Sequence, residues 1–183
     1  MCHLRSHRGI HRSVSLRSTA GGDAGGNRRG YDESALKLLV AADRLQSQWL
    51  AVILVDLDGF KQINDAHGHG YGDLVLVAVA DNLRRASAMN SVVARLGGEE
   101  FLIAELIEPD DAEGTAERIR TAVATAPGGV TASVGVASIA LRDIGGSAIA
   151  TLSELVDAAD AAMYDAKRAG GNQIRHRAAT SAT

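Results

Sequence analysis

Two pairs of carboxylates, Asp56 with Asp58 and Glu99 with Glu100, stand at the ends of apolar runs that read as strands. Hard divalent cations such as Mg²⁺ take oxygen ligands, commonly one or two carboxylates completed by substrate phosphates. Mn²⁺ suits the same oxygens. Asp56 at the end of one strand and Glu99 at a neighbouring hairpin have the chemistry to supply such a pair. The acids at 99 and 100 follow Gly97-Gly98, a turn pair without Cβ that tolerates positive φ and lets backbone approach a ligand. By the period-2 alternation of a strand, Asp56 and Asp58 point to the same side of the sheet. Either pair alone is also what a strand ending in solvent carries; the combination points to a site.

A third run lies between them: Phe60-Lys61-Gln62-Ile63-Asn64-Asp65-Ala66-His67-Gly68-His69-Gly70-Tyr71-Gly72-Asp73. Together the chain carries Asp-x-Asp-x-Phe-Lys, Asn-Asp-x-x-Gly-His-x-x-Gly-Asp and Arg-x-Gly-Gly-Glu-Glu-Phe in this order. Val134-Gly135-Val136-Ala137 follows, and then Ala159-Asp160-Ala161-Ala162-Met163-Tyr164-Asp165-Ala166-Lys167. This set closely resembles the GGDEF domain of diguanylate cyclases, over roughly residues 27–177. The resemblance implies an enzyme that condenses two GTP into cyclic di-GMP, releasing two pyrophosphates, from two sites that meet across a homodimer. It implies Mg²⁺ (or Mn²⁺) held by Asp56, the Leu57 carbonyl, Glu99 and Glu100, with Glu100 completing the metal shell or accepting the 3′-hydroxyl proton. Asn64 and Asp73 match the family's guanine readers: a carboxylate accepts from N1–H and the exocyclic amine, and a carboxamide can donate to the ring's acceptors. Lys61 and Lys167 match its phosphate-contacting lysines, and Gly97 and Gly98 its nucleotide-approaching turn. His67 and His69 lack a third partner for a metal site, and Asp160 and Tyr164 read as a solvated helix face.

Three departures from the family pattern matter. Of the usual opening Asp-x-Leu-Thr-Gly-Leu-x-Asn-Arg-Arg only Asn27-Arg28-Arg29 survives, with Ala20, Gly22, Asp23, Ala24 and Gly25 at the other signature positions. Gly171 stands where the family often has an arginine beside the last lysine, and Arg168 is a nearby substitute. The product-inhibition motif Arg-x-x-Asp is replaced by Ala88-Met89-Asn90-Ser91, so no feedback by cyclic di-GMP is expected there. The eroded opening motif and Gly171 favour a second reading, a catalytically weak or inactive domain of this kind acting as a GTP-binding regulatory module. A cyclic di-GMP receptor is disfavoured because Ala88 and Ser91 cannot supply its contacts.

The elements that must position these groups follow from periodicity and punctuation. A helix is expected over 32–48 with Leu36, Leu39, Val40 and Leu45 inward, then a strand over 50–56 buried on both faces and a turn region over 59–66. A helix over 71–86 leads to a hairpin of 91–96 and 100–106 around Gly97-Gly98, and then to a helix over 110–125 ended by Pro127-Gly128-Gly129. A strand over 130–139 follows. Thr151-Leu152-Ser153-Glu154 reads as a capping box opening a helix to residue 169, and residues 172–176 make a short last strand. Without the flanking helices this order is β-α-β-β-α-β, the ferredoxin-like split unit. The fold class is therefore α+β with extra flanking helices, a core that by resemblance is related to nucleotidyl cyclases and polymerase palm domains. It sets the Asp56 strand end beside the Gly97-Gly98 hairpin.

At 183 residues, with 46% hydrophobic and 22% charged side chains, one domain is the expectation. Residues 1–29 read as a disordered basic leader, 30–177 as the domain and 178–183 as a disordered tail. The first thirty residues hold six Arg and one Asp, leaving an acidic body, which argues against a nucleic-acid-binding surface. No apolar run approaches the ~20 residues needed to span a bilayer. Cys2 is the only cysteine, which excludes an intramolecular disulfide and fits a reducing cytoplasm.

Overall fold

The computed structural model describes residues 48–144 and 147–178. The expected helix over 32–48, except Gln48 at its end, and the surviving Asn27-Arg28-Arg29 lie outside them, as do the leader and all of the tail but Ala178. Five strands and four α-helices occur among the described residues: β1 (Trp49–Asp58), α1 (Phe60–His67), α2 (His69–Ala86), β2 (Val92–Gly97), β3 (Glu100–Ile107), α3 (Ala112–Ala124), β4 (Thr131–Ala140), α4 (Ala148–Arg168) and β5 (Gln173–Ala178). The strands form one sheet in the order β2-β3-β1-β4-β5. β3 inserts between β1 and β2 and runs antiparallel to both, and β4 flanks β1 on the other side, also antiparallel. This is the split α+β unit expected from the element order. β5 extends it, pairing parallel with β4 after the α4 crossover.

Strand parity decides what each face carries. Ala51, Ile53, Val55 and Leu57 of β1 join Phe101, Ile103, Val134 and Val136 in a core closed by α2 and α3, through Val75, Val79, Leu83, Ala116, Ile119 and Val123. Leu50, Val52 and Leu54 face the other way, with Leu102, Ala137 and Ile139, against Leu152, Leu155, Ala159 and Met163 of α4. Continued along β1, this second row arrives at Asp56 and Asp58. Register places Asp56 opposite Glu100 of β3 and opposite Ser133 of β4, so the acids emerge on the α4 side where the apolar row runs out.

Three local readings change. The region over 59–66 is a helix, α1, because Phe60 and Ile63, one turn apart, dock into the α2 side of the core. Gly59, at φ 67°, makes the break between strand and helix. The Thr151 capping box is not used: α4 begins at Ala148, capped by Ser147, whose Oγ accepts from the Ala150 N–H at 3.4 Å. Thr151 lies inside the first turn with its hydroxyl on the Ser147 carbonyl. Ser147 wins because Ala148, Ile149 and Ala150 extend the helix one turn upstream. The hairpin turn is Gly98-Glu99 rather than Gly97-Gly98, since Gly97 ends β2 in a bulge and pairs with Glu100.

Candidate active site

Asp56 is 5% exposed, near the end of a strand whose residues Leu50 to Val55 are all core. Its carboxylate is held by Lys167 of the last turn of α4, whose Nζ donates to both oxygens at 2.9 Å. Burial pushes the Asp56 carboxyl above its ordinary value against the opposing pull of the Lys167 ammonium, with Glu100 and Asp58 adding like-charge pressure. Lys167 is held above its ordinary value, first by that hydrogen bond and then by the charges of Asp56, Glu99 and Asp58. Asp56, Glu100 and Lys167 therefore stand together, and Glu99 is close enough to act on the lysine.

The Gly-Gly-Glu-Glu hairpin is tied to β1 by the Leu57 N–H, which donates to the Glu99 carbonyl at 3.3 Å. Gly98 occupies the turn at φ 53°, where a Cβ is disfavoured. Its carbonyl accepts from Nε and a terminal nitrogen of Arg95 at 2.9 and 2.6 Å. Arg95 thus fixes the peptide that leads into Glu99, a role missed from sequence although the arginine sits two residues before the glycine pair. Among the described residues no three acidic or histidine side chains close on one another as a ready-made metal cage. The donor set still fits a hard cation: a buried carboxylate already holds a cationic group on both its oxygens, and Glu100 stands directly opposite it.

The second aspartate has a different job. Asp58 accepts from the Thr131 hydroxyl at 2.8 Å, the Ser133 hydroxyl at 2.7 Å and the Asn172 N–H at 2.8 Å. It clasps the end of β1 to β4 and to the α4–β5 turn. Hydrogen bonds to a charged group contribute about 1.5–3 kcal/mol each, non-additively. Asp58→Ala is expected to cost about 3 kcal/mol and to lower the thermal midpoint by roughly 6–12 °C. A circular-dichroism melt checks this, and a drop below about 2 °C would mean the clasp holds nothing.

On the other side of β1, Asn64 of α1 lies against the first turn of α2. A Cβ on buried Gly72 would overlap the Asn64 carboxamide, whose Cγ is 2.9 Å from that point. The missing side chain lets Asn64 seat against Gly72, the residue before Asp73 in the chain; Asp73 and Lys61 are exposed. His67 packs against Tyr71, ring centroids 4.8 Å apart and planes tilted by 46°, which gives it a packing role across the α1–α2 junction. Tyr164 is exposed, and the Arg168 guanidinium lies 5.9 Å from its ring. Gly171, at φ 75°, has its Cβ direction blocked 2.9–3.0 Å away by the Asp58 carboxylate. An arginine does not fit that turn as it stands.

A second acidic network lies at the far end of β3. Glu105, 1% exposed, pairs with Arg118 of α3 and accepts from the Ala88 N–H at 2.9 Å, while Arg118 donates to the Ala86 carbonyl at 2.7 Å. It pins the loop that holds Ala88-Met89-Asn90-Ser91. Sequence reading passed over Glu105 because it sits in a run that is otherwise apolar.

Residues 26–173 match the family described as diguanylate cyclase, GGDEF domain. The chain belongs to the GGDEF family. Among GGDEF relatives it is 40% identical over 147 residues to the bifunctional diguanylate cyclase/cyclic di-GMP phosphodiesterase MucR of Pseudomonas aeruginosa, covering 76% of this chain and 20% of that protein. It is 35% identical over 156 residues to the probable diguanylate cyclase DgcF of Escherichia coli, covering 78% and 48%. These relatives are more than twice as long as the GGDEF region they share with it. Among solved structures it resembles the active GGEEF domain of a diguanylate cyclase from Vibrio cholerae, with a TM-score of 0.67 and 32% identity over 85% of this chain and 98% of that one. No helix among the described residues is long and apolar enough to cross a membrane.

Proposed function

We propose that this GGDEF domain is a diguanylate cyclase that condenses two GTP into cyclic di-GMP in a Mg²⁺-dependent homodimer in the cytoplasm. The observation that carries the reading is the meeting of Asp56, Glu100 and Lys167 at the end of β1, beside the Gly98-Glu99 turn. Asp56, Glu99, Glu100 and the Leu57 carbonyl would hold Mg²⁺ or Mn²⁺. Bound there, the cation supplies Lewis-acid stabilisation of phosphate charge and lowers the pKa of a ribose 3′-hydroxyl. Asn64 and Asp73 read guanine, and Lys61 and Lys167 neutralise the triphosphate as point charges. The 3′-oxygen forms a bond to the α-phosphorus of the second GTP, and the bond from that phosphorus to the bridging oxygen breaks. Pyrophosphate departs with that bond's electron pair, and Glu100 accepts the hydroxyl proton. The same step in the opposite sense closes the ring, which is why two half-sites must face each other. The loop 88–91 offers no arginine or aspartate to cyclic di-GMP, so turnover escapes product inhibition at that position.

Purified protein given GTP and Mg²⁺ is expected to yield a product with the mass of cyclic di-GMP. Chelation removes it, and Glu99→Ala lowers it at least ~10³-fold, the scale of losing several kcal/mol of metal stabilisation. Wild-type-like turnover in Glu99→Ala would overturn the assignment. The blocked position at Gly171 favours one other reading, a regulatory module that binds GTP without turning it over; GTP bound through Asn64 and Asp73 with no product at any metal concentration is its signature.

A further inference from the structure

Among the described residues Lys167 is the cationic side chain that bonds the buried carboxylate, and it uses both oxygens to do so. We infer that Lys167 is the resident counter-ion of Asp56 in the nucleotide-free protein, and that it must surrender this carboxylate before a divalent cation can take it. Metal alone therefore binds poorly, and metal arriving with a triphosphate binds well. The inference rests on the reading of Asp56 as a metal ligand.

The geometry sets the exchange. A cation approaching Asp56 meets an ammonium 2.9 Å from each oxygen, and like charges at that range in a partly desolvated site repel strongly. The lysine can leave: its side chain is 50% exposed against 8% for Asp56, on a flexible four-carbon stem in the last turn of a helix. Its alternatives within the protein are poor. Asp58 is already occupied by Thr131, Ser133 and the Asn172 N–H, and Glu99 is itself one of the carboxylates the metal would use. A triphosphate supplies a new anion at the moment the metal supplies a new cation, so both charges change partners together. Nucleotide and metal thereby enter as a pair, and free metal is kept off the site between turnovers.

The test uses Mn²⁺ alone with the nucleotide-free full chain, counting free ion by electron paramagnetic resonance. Lys167→Met, which keeps the stem and removes the charge, is expected to bind Mn²⁺ about tenfold more tightly than wild type, the scale of one charged hydrogen bond. Lys167→Arg, which keeps the charge, stays at the wild-type value, and Lys167→Met combined with Asp56→Asn loses the gain. With Mn²⁺ and guanosine 5′-[α,β-methylene]triphosphate the sign reverses, and Lys167→Met binds the complex more weakly than wild type. Lys167→Gln repeats the series should the methionine variant melt early. Equal Mn²⁺ affinity in wild type and both neutral variants, or a gain that survives Asp56→Asn, overturns the inference. Failure to make cyclic di-GMP would sink the proposed activity without moving the Mn²⁺ ratio, so the two failures are distinguishable.

Discussion

Asp56→Asn is expected to lower cyclic di-GMP formation at least ~10³-fold while leaving the thermal midpoint unchanged or higher. The two halves have one cause. Asp56 sits where folding disfavours its charge, and burial raises its pKa despite Lys167. A carboxyl with a raised folded pKa favours the fold only where it is protonated, below its unfolded value, and that contribution is lost as pH rises through the folded pKa. At neutral pH the ionised group therefore lowers stability, and a neutral amide relieves this. The lost ion pair offsets only part of this, because Lys167 is half exposed and its ammonium regains water once released. Product assays and metal-free melts on the same sample check both halves. Activity within tenfold of wild type would remove Asp56 from the metal set. A midpoint lowered by more than about 5 °C would make the Asp56–Lys167 pair a structural bridge instead.

Gly135→Ala should be the most damaging conservative change in the domain. A Cβ at this β4 position would overlap the Ala159 carbonyl and the Met163 N–H of α4, with Met163 Cα only 2.8 Å away. Those atoms are helix backbone, so no side-chain rotation relieves the clash, and α4 must lift from the sheet. Overpacking typically costs 1–3 kcal/mol, and backbone contact puts this site at about 3 kcal/mol or more. The midpoint should fall by roughly 6–12 °C. Activity should fall further than stability explains, because α4 carries Lys167 to Asp56. A melt within about 2 °C of wild type would contradict the packing.

The acids at the strand ends were legible because parity and register follow from the pattern itself. An apolar β1 ending in Asp-Leu-Asp and a β3 beginning at Glu100 bring their acids to one end of the sheet, and the structure sets Asp56 opposite Glu100. The split order of elements fixed which strands neighbour each other, whereas the close approach of α4 at Gly135 shows only in the structure. Partner choice was not legible. Asp56 and Asp58 look alike in sequence, yet one takes Lys167, 111 residues away, and the other takes Thr131 and Ser133. Arg95 and Glu105 stayed hidden for a related reason: their roles lie in backbone groups of other segments, the Gly98 carbonyl and the Ala88 N–H. At α1, Phe60 and Ile63 bury one helical face of a segment so short and so closely flanked by glycines that its pattern is that of a turn. Ser147 was passed over for the fuller Thr151–Glu154 signature, although helix formers already follow it.

The most direct test of the account is the initial rate of cyclic di-GMP formation, by mass spectrometry, across a dilution series of the protein at saturating GTP and Mg²⁺. Two half-sites that must meet predict a rate rising with about the square of protein concentration at the dilute end, becoming linear once dimers dominate. GTP bound through Asn64 and Asp73 with no product at any concentration would contradict it, and would make the domain a nucleotide-binding module.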